Sequence, residues 1–243
     1  MKRTSFVILV IILAGLLPPT AFAQADGDKP PKEASIEELY LSNPGLQIAY
    51  EAARSDDRET KLLAISQINE LLDEGMSSED EQKISVILRD LSSQGTTVLI
   101  REKGRLINYY PDVRREACRV LSSVKSEEGK KQAVKVLSDV LRNDDDPIVK
   151  ANAAYSLGVI GLNENNEPVR AIAKALEIQD MIAPNDNFAY SGVVALEKIS
   201  KANNGISDAR SLKVLVRITQ GNYRRAVKEK ALQVLRELRT HSR

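Results

Sequence analysis

Apolar residues in the C-terminal half of this chain fall into columns that repeat. With Val113, Val149, Phe188 and Val227 as position zero, position four holds Ala117, Ala153, Gly192 and Ala231. Position eight holds Leu121, Leu157, Leu196 and Leu235, and position eleven holds Val124, Ile160, Ile199 and Leu238. The four starting points lie 36, 39 and 39 residues apart. Apolar residues at zero, four, eight and eleven share one face of a helix with about 3.6 residues per turn. A helical stripe that returns once per supersecondary unit is the sequence form of an α-solenoid. The pattern therefore predicts an all-α chain built as a surface for holding something.

Between the aligned helices, apolar spacing predicts second helices over about Glu127–Leu141, Glu167–Ile178 and Ser207–Ile218. Asp146-Pro147 places a capping carboxylate before a proline at the first helical position, and Gly161 ends that helix. Pro111-Asp112 and Ser207-Asp208 open others in the same manner. An earlier copy begins at Thr60, with Ala64, Ile68 and Leu71 in its columns and a partner over Gln82–Leu91. A helix at Leu46–Ala53, introduced by Ser42-Asn43-Pro44, shields that first unit. The stretch Gly95–Tyr110 is surplus to the period and reads as a short extra helix carrying Val98, Leu99, Ile100 and Leu106. The last helix, Tyr223 to about Leu238, exposes Arg225, Lys228, Glu229, Arg236 and Arg239, as the end of a stack must.

The N-terminus has another character. Lys2 and Arg3 precede an apolar run from Phe6 to Leu17, followed by Ala21-Phe22-Ala23. That is the form of a signal peptide over 1–23, with cleavage after Ala23 or Ala25. The run falls short of the ~20 residues that span a bilayer, so no integral membrane segment is expected after processing. Residues 24–40 read as a polar lead-in, and 41–243 as one solenoid with an irregular part over 41–110 and regular repeats over 111–243. The chain is thus expected to be exported, periplasmic or secreted.

Charge shifts the picture less than its distribution does. Gln24–Ile100 carries sixteen acidic and seven basic residues, whereas Arg210 to the end carries two and ten. A basic end on an exported chain points to an anionic envelope polymer, anionic lipid or an acidic protein. Nucleic acid ranks last, because export removes the usual target. Aligned by their apolar residues, the second helices bring Lys135, Arg170 and Arg210 to one equivalent exposed position, with Lys131, Arg142, Lys174, Lys213 and Arg217 near it. These are the candidate partner-binding residues. Tyr109 and Tyr110, where the period breaks, join them, since tyrosine combines large area with a hydrogen-bonding tip. Basic stems that shield the packed layer, and tyrosines that fill the seam before Pro111, are the competing readings.

Pro111-Asp112-Val113-Arg114-Arg115-Glu116-Ala117 with Leu121, and Pro147-Ile148-Val149-Lys150-Ala151-Asn152-Ala153 with Leu157-Gly158-Val159-Ile160-Gly161, closely resemble the first helix of HEAT repeats. The resemblance implies a right-handed superhelix with first helices convex and second helices concave, and a role in binding proteins. It also implies that Arg114 and Lys150 meet Asp112 and Asp144–Asp146 in a structural ladder.

Catalytic chemistry is sparse. The sole histidine, His241, lies near the chain end, where a triad or a zinc site is improbable. No phosphate-binding glycine loop and no nucleophile elbow occurs. Cys118, the single cysteine, falls at position five with Ala154, Val193 and Leu232, a core column, and cannot form an intramolecular disulfide. Asp144-Asp145-Asp146 lacks the glycine turn and the oxygen count of a calcium loop. No metal, no cofactor and no catalytic residue is expected. The reading is a non-enzymatic interaction scaffold of a bacterial cell envelope with an acidic protein partner. Its rivals are an anionic polymer or lipid binder acting through the basic end, and a lyase-type enzyme related to HEAT-like proteins.

Overall fold

The computed structural model describes residues 43–96 and 99–241. The signal peptide and lead-in expected over 1–40 lie outside the described residues, as do Val98 and the side chains of Arg105, Arg239 and His241. The described residues belong to one compact unit, Ala34–Arg243. They form α1 (Pro44–Arg54), α2 (Arg58–Glu74), α3 (Ser78–Ser92), a hairpin of β1 (Arg101–Glu102) and β2 (Arg105–Leu106), α4 (Pro111–Leu121), α5 (Glu127–Asn143), α6 (Pro147–Ile160), a 3-10 turn at Glu164–Asn166, α7 (Glu167–Ile182), α8 (Asp186–Ala202), α9 (Ala209–Gln220) and α10 (Arg225–His241). None of these helices is long and apolar enough to cross a membrane.

Polar side chains start the helices where the sequence places them. Asp146 accepts from the backbone N–H of Ile148 at 2.7 Å and of Val149 at 3.3 Å, and Gly161 takes the left-handed conformation that closes α6. Asn43, Asp57, Ser77, Ser126, Asn185 and Asp208 cap six more. The second helices overrun the apolar pattern: α5 continues to Asn143, and α7 runs one turn beyond Ile178.

Helices α2, α4, α6, α8 and α10 stack on one another as one layer, and α1, α3, α5, α7 and α9 as the other. Each second helix packs chiefly on the first helix that follows it and only lightly on the one before. In consequence α1 does not merely shield the first unit. It packs on α2 and touches α3, the place of a second helix in a preceding pair.

The column residues make the core. Val113, Ala117, Leu121, Val149, Ala153, Leu157, Phe188 and Leu196 are fully buried. Position five is buried at Ile65, Cys118, Ala154 and Val193, but Leu232 is 43% exposed, because no further first helix covers α10 among the described residues. Packing is tightest between α6 and α8. There Gly158 faces Ala195 so closely that a Cβ on the glycine would stand 2.7 Å from the Ala195 Cα.

The surplus segment is where the structure departs from the sequence reading. It is no helix: Lys103 and Gly104, at φ 49° and 80°, form the two-residue turn of a hairpin pairing Arg101 with Leu106 and Glu102 with Arg105. Two positive-φ residues make the turn whose twist suits antiparallel strands. Such a turn reverses the chain and leaves no room for a helical one. The hairpin is moored at its base by Asn108, whose side chain accepts from the Ile100 N–H at 2.9 Å.

A buried ion pair within the first regular repeat also reaches back to the irregular part. Arg114 is fully buried and donates from Nε and Nη2 to the two oxygens of Asp144, at 2.7 and 3.1 Å. Its Nη1 donates to the Gln94 carbonyl at 3.2 Å, and the Tyr109 ring lies 4.6 Å from its guanidinium carbon. The rest of the expected ladder does not form. Asp112 pairs with Arg58 of α2 instead. Lys150 makes no ion pair among the described residues, because the residue that caps α7, as Asp144 caps α5, is Ala183.

Two stability predictions follow from this packing. Gly158→Val should force α6 from α8 and lower unfolding free energy by about 1–3 kcal/mol in urea titrations, with the helical spectrum retained. Asp144→Ala should cost about 3–5 kcal/mol by leaving the Arg114 charge buried and unpaired. Pairing Arg114→Met with Asp144→Leu should recover most of that loss.

Candidate functional site

The outer face of the second-helix layer gathers much of the basic set that the sequence singles out. A groove of about 710 Å³ among α5, α7 and α9 is lined by Arg142, Arg170, Lys174 and Arg210, with Glu167 and the apolar Leu141 and Ile178. The helical register explains the gathering. Arg170 and Lys174 are one turn apart on α7, opposite the buried Ile172, Ala173 and Leu176. Arg210 stands at the start of α9, next to Asp208, which caps that helix through the Ser211 N–H at 2.9 Å.

Some of these charges are neutralised within the chain. Arg142 bonds Asp139 at 2.6 Å and Glu167 at 3.0 Å, and Arg170 reaches Asp208 at 3.7 Å. Arg217, further along α9, bonds Asp180 at 2.9 Å. Lys135, Lys174, Arg210 and Lys213 have no ion-pair partner among the described residues, and all four are exposed. The geometry does not bring the whole set to one place. Lys135 lines a neighbouring depression of about 200 Å³ with Lys131, and Lys131 pairs with Glu164 at 3.6 Å. Lys213 lies outside both.

Tyr109 and Tyr110 stand apart from the groove, half-buried at the foot of the hairpin. The Tyr109 hydroxyl donates to Asp145 at 3.3 Å while its ring covers Arg114. The Tyr110 hydroxyl meets the carbonyls of Ile107 at 2.8 Å and Asp56 at 3.2 Å. Their rings therefore hold the inserted segment against α2 and α4.

The acidic triplet is likewise engaged: Asp144 on Arg114, Asp145 on Tyr109 and Asp146 on the start of α6. Cys118 is fully buried, and burial pushes its thiol far above the ordinary range, which removes the thiolate that a nucleophile needs.

A second cavity, of about 430 Å³, lies between α1, α3 and the inserted segment. Lys61 lines it although only 2% of that residue is exposed. Apolar periodicity does not single out Lys61. The signal was present, because Lys61 follows Thr60 as Arg114 follows Val113. Its meaning depends on what caps α3, which apolar spacing does not reveal.

Residues 106–180 match the HEAT repeats family, a span running from the end of the hairpin through α4, α5, α6 and most of α7. No curated protein matches the chain, and no solved structure does. HEAT repeats are in general protein-interaction scaffolds and typically non-enzymatic. With two helical layers stacked pair by pair on either side of the matched span, the chain is an all-α solenoid with HEAT repeats over residues 106–180.

Proposed function

We propose that this chain is an exported scaffold of a bacterial cell envelope that holds an acidic protein partner along the outer face of its second helices. The observation carrying the reading is the groove among α5, α7 and α9, in which four cations face one acid and two of the cations, Lys174 and Arg210, lack an ion-pair partner among the described residues. Unneutralised charge beside exposed apolar surface steers an oppositely charged protein and fixes its register. Ile178 at 37% exposure, and Met181 and Ile182 at 64% and 75%, supply that apolar surface at the end of α7. Tyr109 and Tyr110 act with the groove by fixing the inserted segment that frames the other end of the layer. Export rests on the signal-peptide form of residues 1–23.

A second reading, an anionic polymer or lipid surface held by the C-terminal helix, draws support from Arg224 and Arg225, whose side chains are 86% and 91% exposed. Each of them is answered by an acid within the chain, Asp186 and Glu229, so the groove is the stronger candidate.

Photocrosslinkers placed at Lys174 and Arg210 in intact cells should capture one common protein. The double reversal Lys174→Glu with Arg210→Glu should weaken its binding by at least about tenfold without changing the melting temperature. Capture that survives the reversal overturns the reading, and salt-dependent binding to anionic vesicles lost on truncation after Asn222 favours the second.

A further inference from the structure

The first unit of the stack has a lone cation where the second has an ion pair. Arg114 is answered by Asp144, the residue that caps α5, whereas the residue that caps α3 is Ser93. Both caps close on the carbonyl four residues back, the Asp144 N–H on Val140 at 2.9 Å and the Ser93 N–H on Arg89 at 3.2 Å, but Asp144 is buried and extended whereas Ser93 is exposed, with ψ 3°. At its cap the first unit thus carries a hydroxyl, turned to the Arg89 and Asp90 carbonyls, and the next unit a carboxylate. Lys61 is left donating to the Ala53 carbonyl at 3.0 Å, its one partner among the described residues. An ammonium carries three donors. Burial lowers the Lys61 pKa below the ordinary lysine value, opposed by the charge of Asp56, as befits a cation short of compensation.

Lys61 and Ser93 line the same cavity, the one between α1, α3 and the inserted segment. Its volume of about 430 Å³ falls within the range of small-molecule sites. Val86, Ile87, Leu91 and Ile100 line it with apolar surface, and Val86 and Ile100 remain 45% and 48% exposed. The other charged residues of the lining are Arg54, Lys83 and Asp90. Lys83 is held by Glu79 at 3.1 Å and Asp80 at 3.4 Å, and Asp90 by Arg89 at 3.3 Å.

We propose that this cavity binds a small ligand consisting of a carboxylate on an apolar body, its carboxylate meeting Lys61 as Asp144 meets Arg114. The apolar body lies along Val86, Ile87, Leu91 and Ile100. A fatty acid and the hydrophobic C-terminal residue of a peptide share this chemistry. The site is separate from the basic groove, and either can fail without the other.

Calorimetry on the purified protein tests it with two matched pairs: octanoate against its methyl ester, and acetyl-Ala-Leu-Leu as free acid against its amide. At least one acid should bind about tenfold or more tightly than its uncharged partner, and the pair that discriminates identifies the source. Lys61→Met should abolish that discrimination and Lys61→Arg should keep it. Ser93→Asp adds a carboxylate to the lining that Lys61 shares, so it should raise the melting temperature and exclude the acids. That variant keeps the test open if Lys61→Met fails to fold. The proposal is overturned if neither acid binds at millimolar concentration, if acid and uncharged partner bind alike, or if Ser93→Asp leaves acid binding unchanged.

Discussion

A buried guanidinium is the joint on which this molecule turns. Arg114 takes both oxygens of Asp144, the Gln94 carbonyl and the face of Tyr109, all from a position without solvent exposure. Two charges taken from water into a protein interior are tolerated only when the geometry is good and the remaining donors are used. Here they are used on three different segments: the end of α3, the foot of the inserted hairpin and the turn before α6. One side chain thereby ties the irregular N-terminal part to the regular repeats, beside the Arg58–Asp112 pair and the Glu81 carboxylate that accepts from the Lys125 and Ser126 N–H groups. Leucine at that position would fill the volume and specify none of those orientations.

Around that joint the fold separates its tasks. The first-helix layer is dense and apolar, drawn together by small residues such as Gly158 against Ala195. The second-helix layer keeps its polar face outside, and helix register lines up Arg142, Arg170, Lys174 and Arg210 along one groove. The inserted segment adds a wall to the first unit and lines a cavity there with α1 and α3.

The columns at positions zero, four, eight and eleven were legible because each is filled by residues that only a packed helical face requires. Caps such as Asp146-Pro147 were legible because the chemistry is local. The hairpin was not. Its strands are two residues long, too short to show alternation, and Lys103-Gly104 is a weaker turn signal than Asn-Gly. The basic set was legible as a set, but its division into paired and unpaired members was not. Glu167 and Asp208 reach Arg142 and Arg170 only after neighbouring repeats have packed. Lys61 hid for a similar reason, since its surroundings are defined by a residue thirty-two positions later that happens to be serine.

The layers have a mechanical corollary. Among the described residues each helix packs on near neighbours in the chain, and α1 does not pack on α10. Contacts of that kind make the stack quasi-one-dimensional, each interface strained or relaxed on its own. Tension applied at one end should therefore be distributed as small rotations at successive interfaces, least at the buried joint of Arg114 and at the close α6–α8 contact.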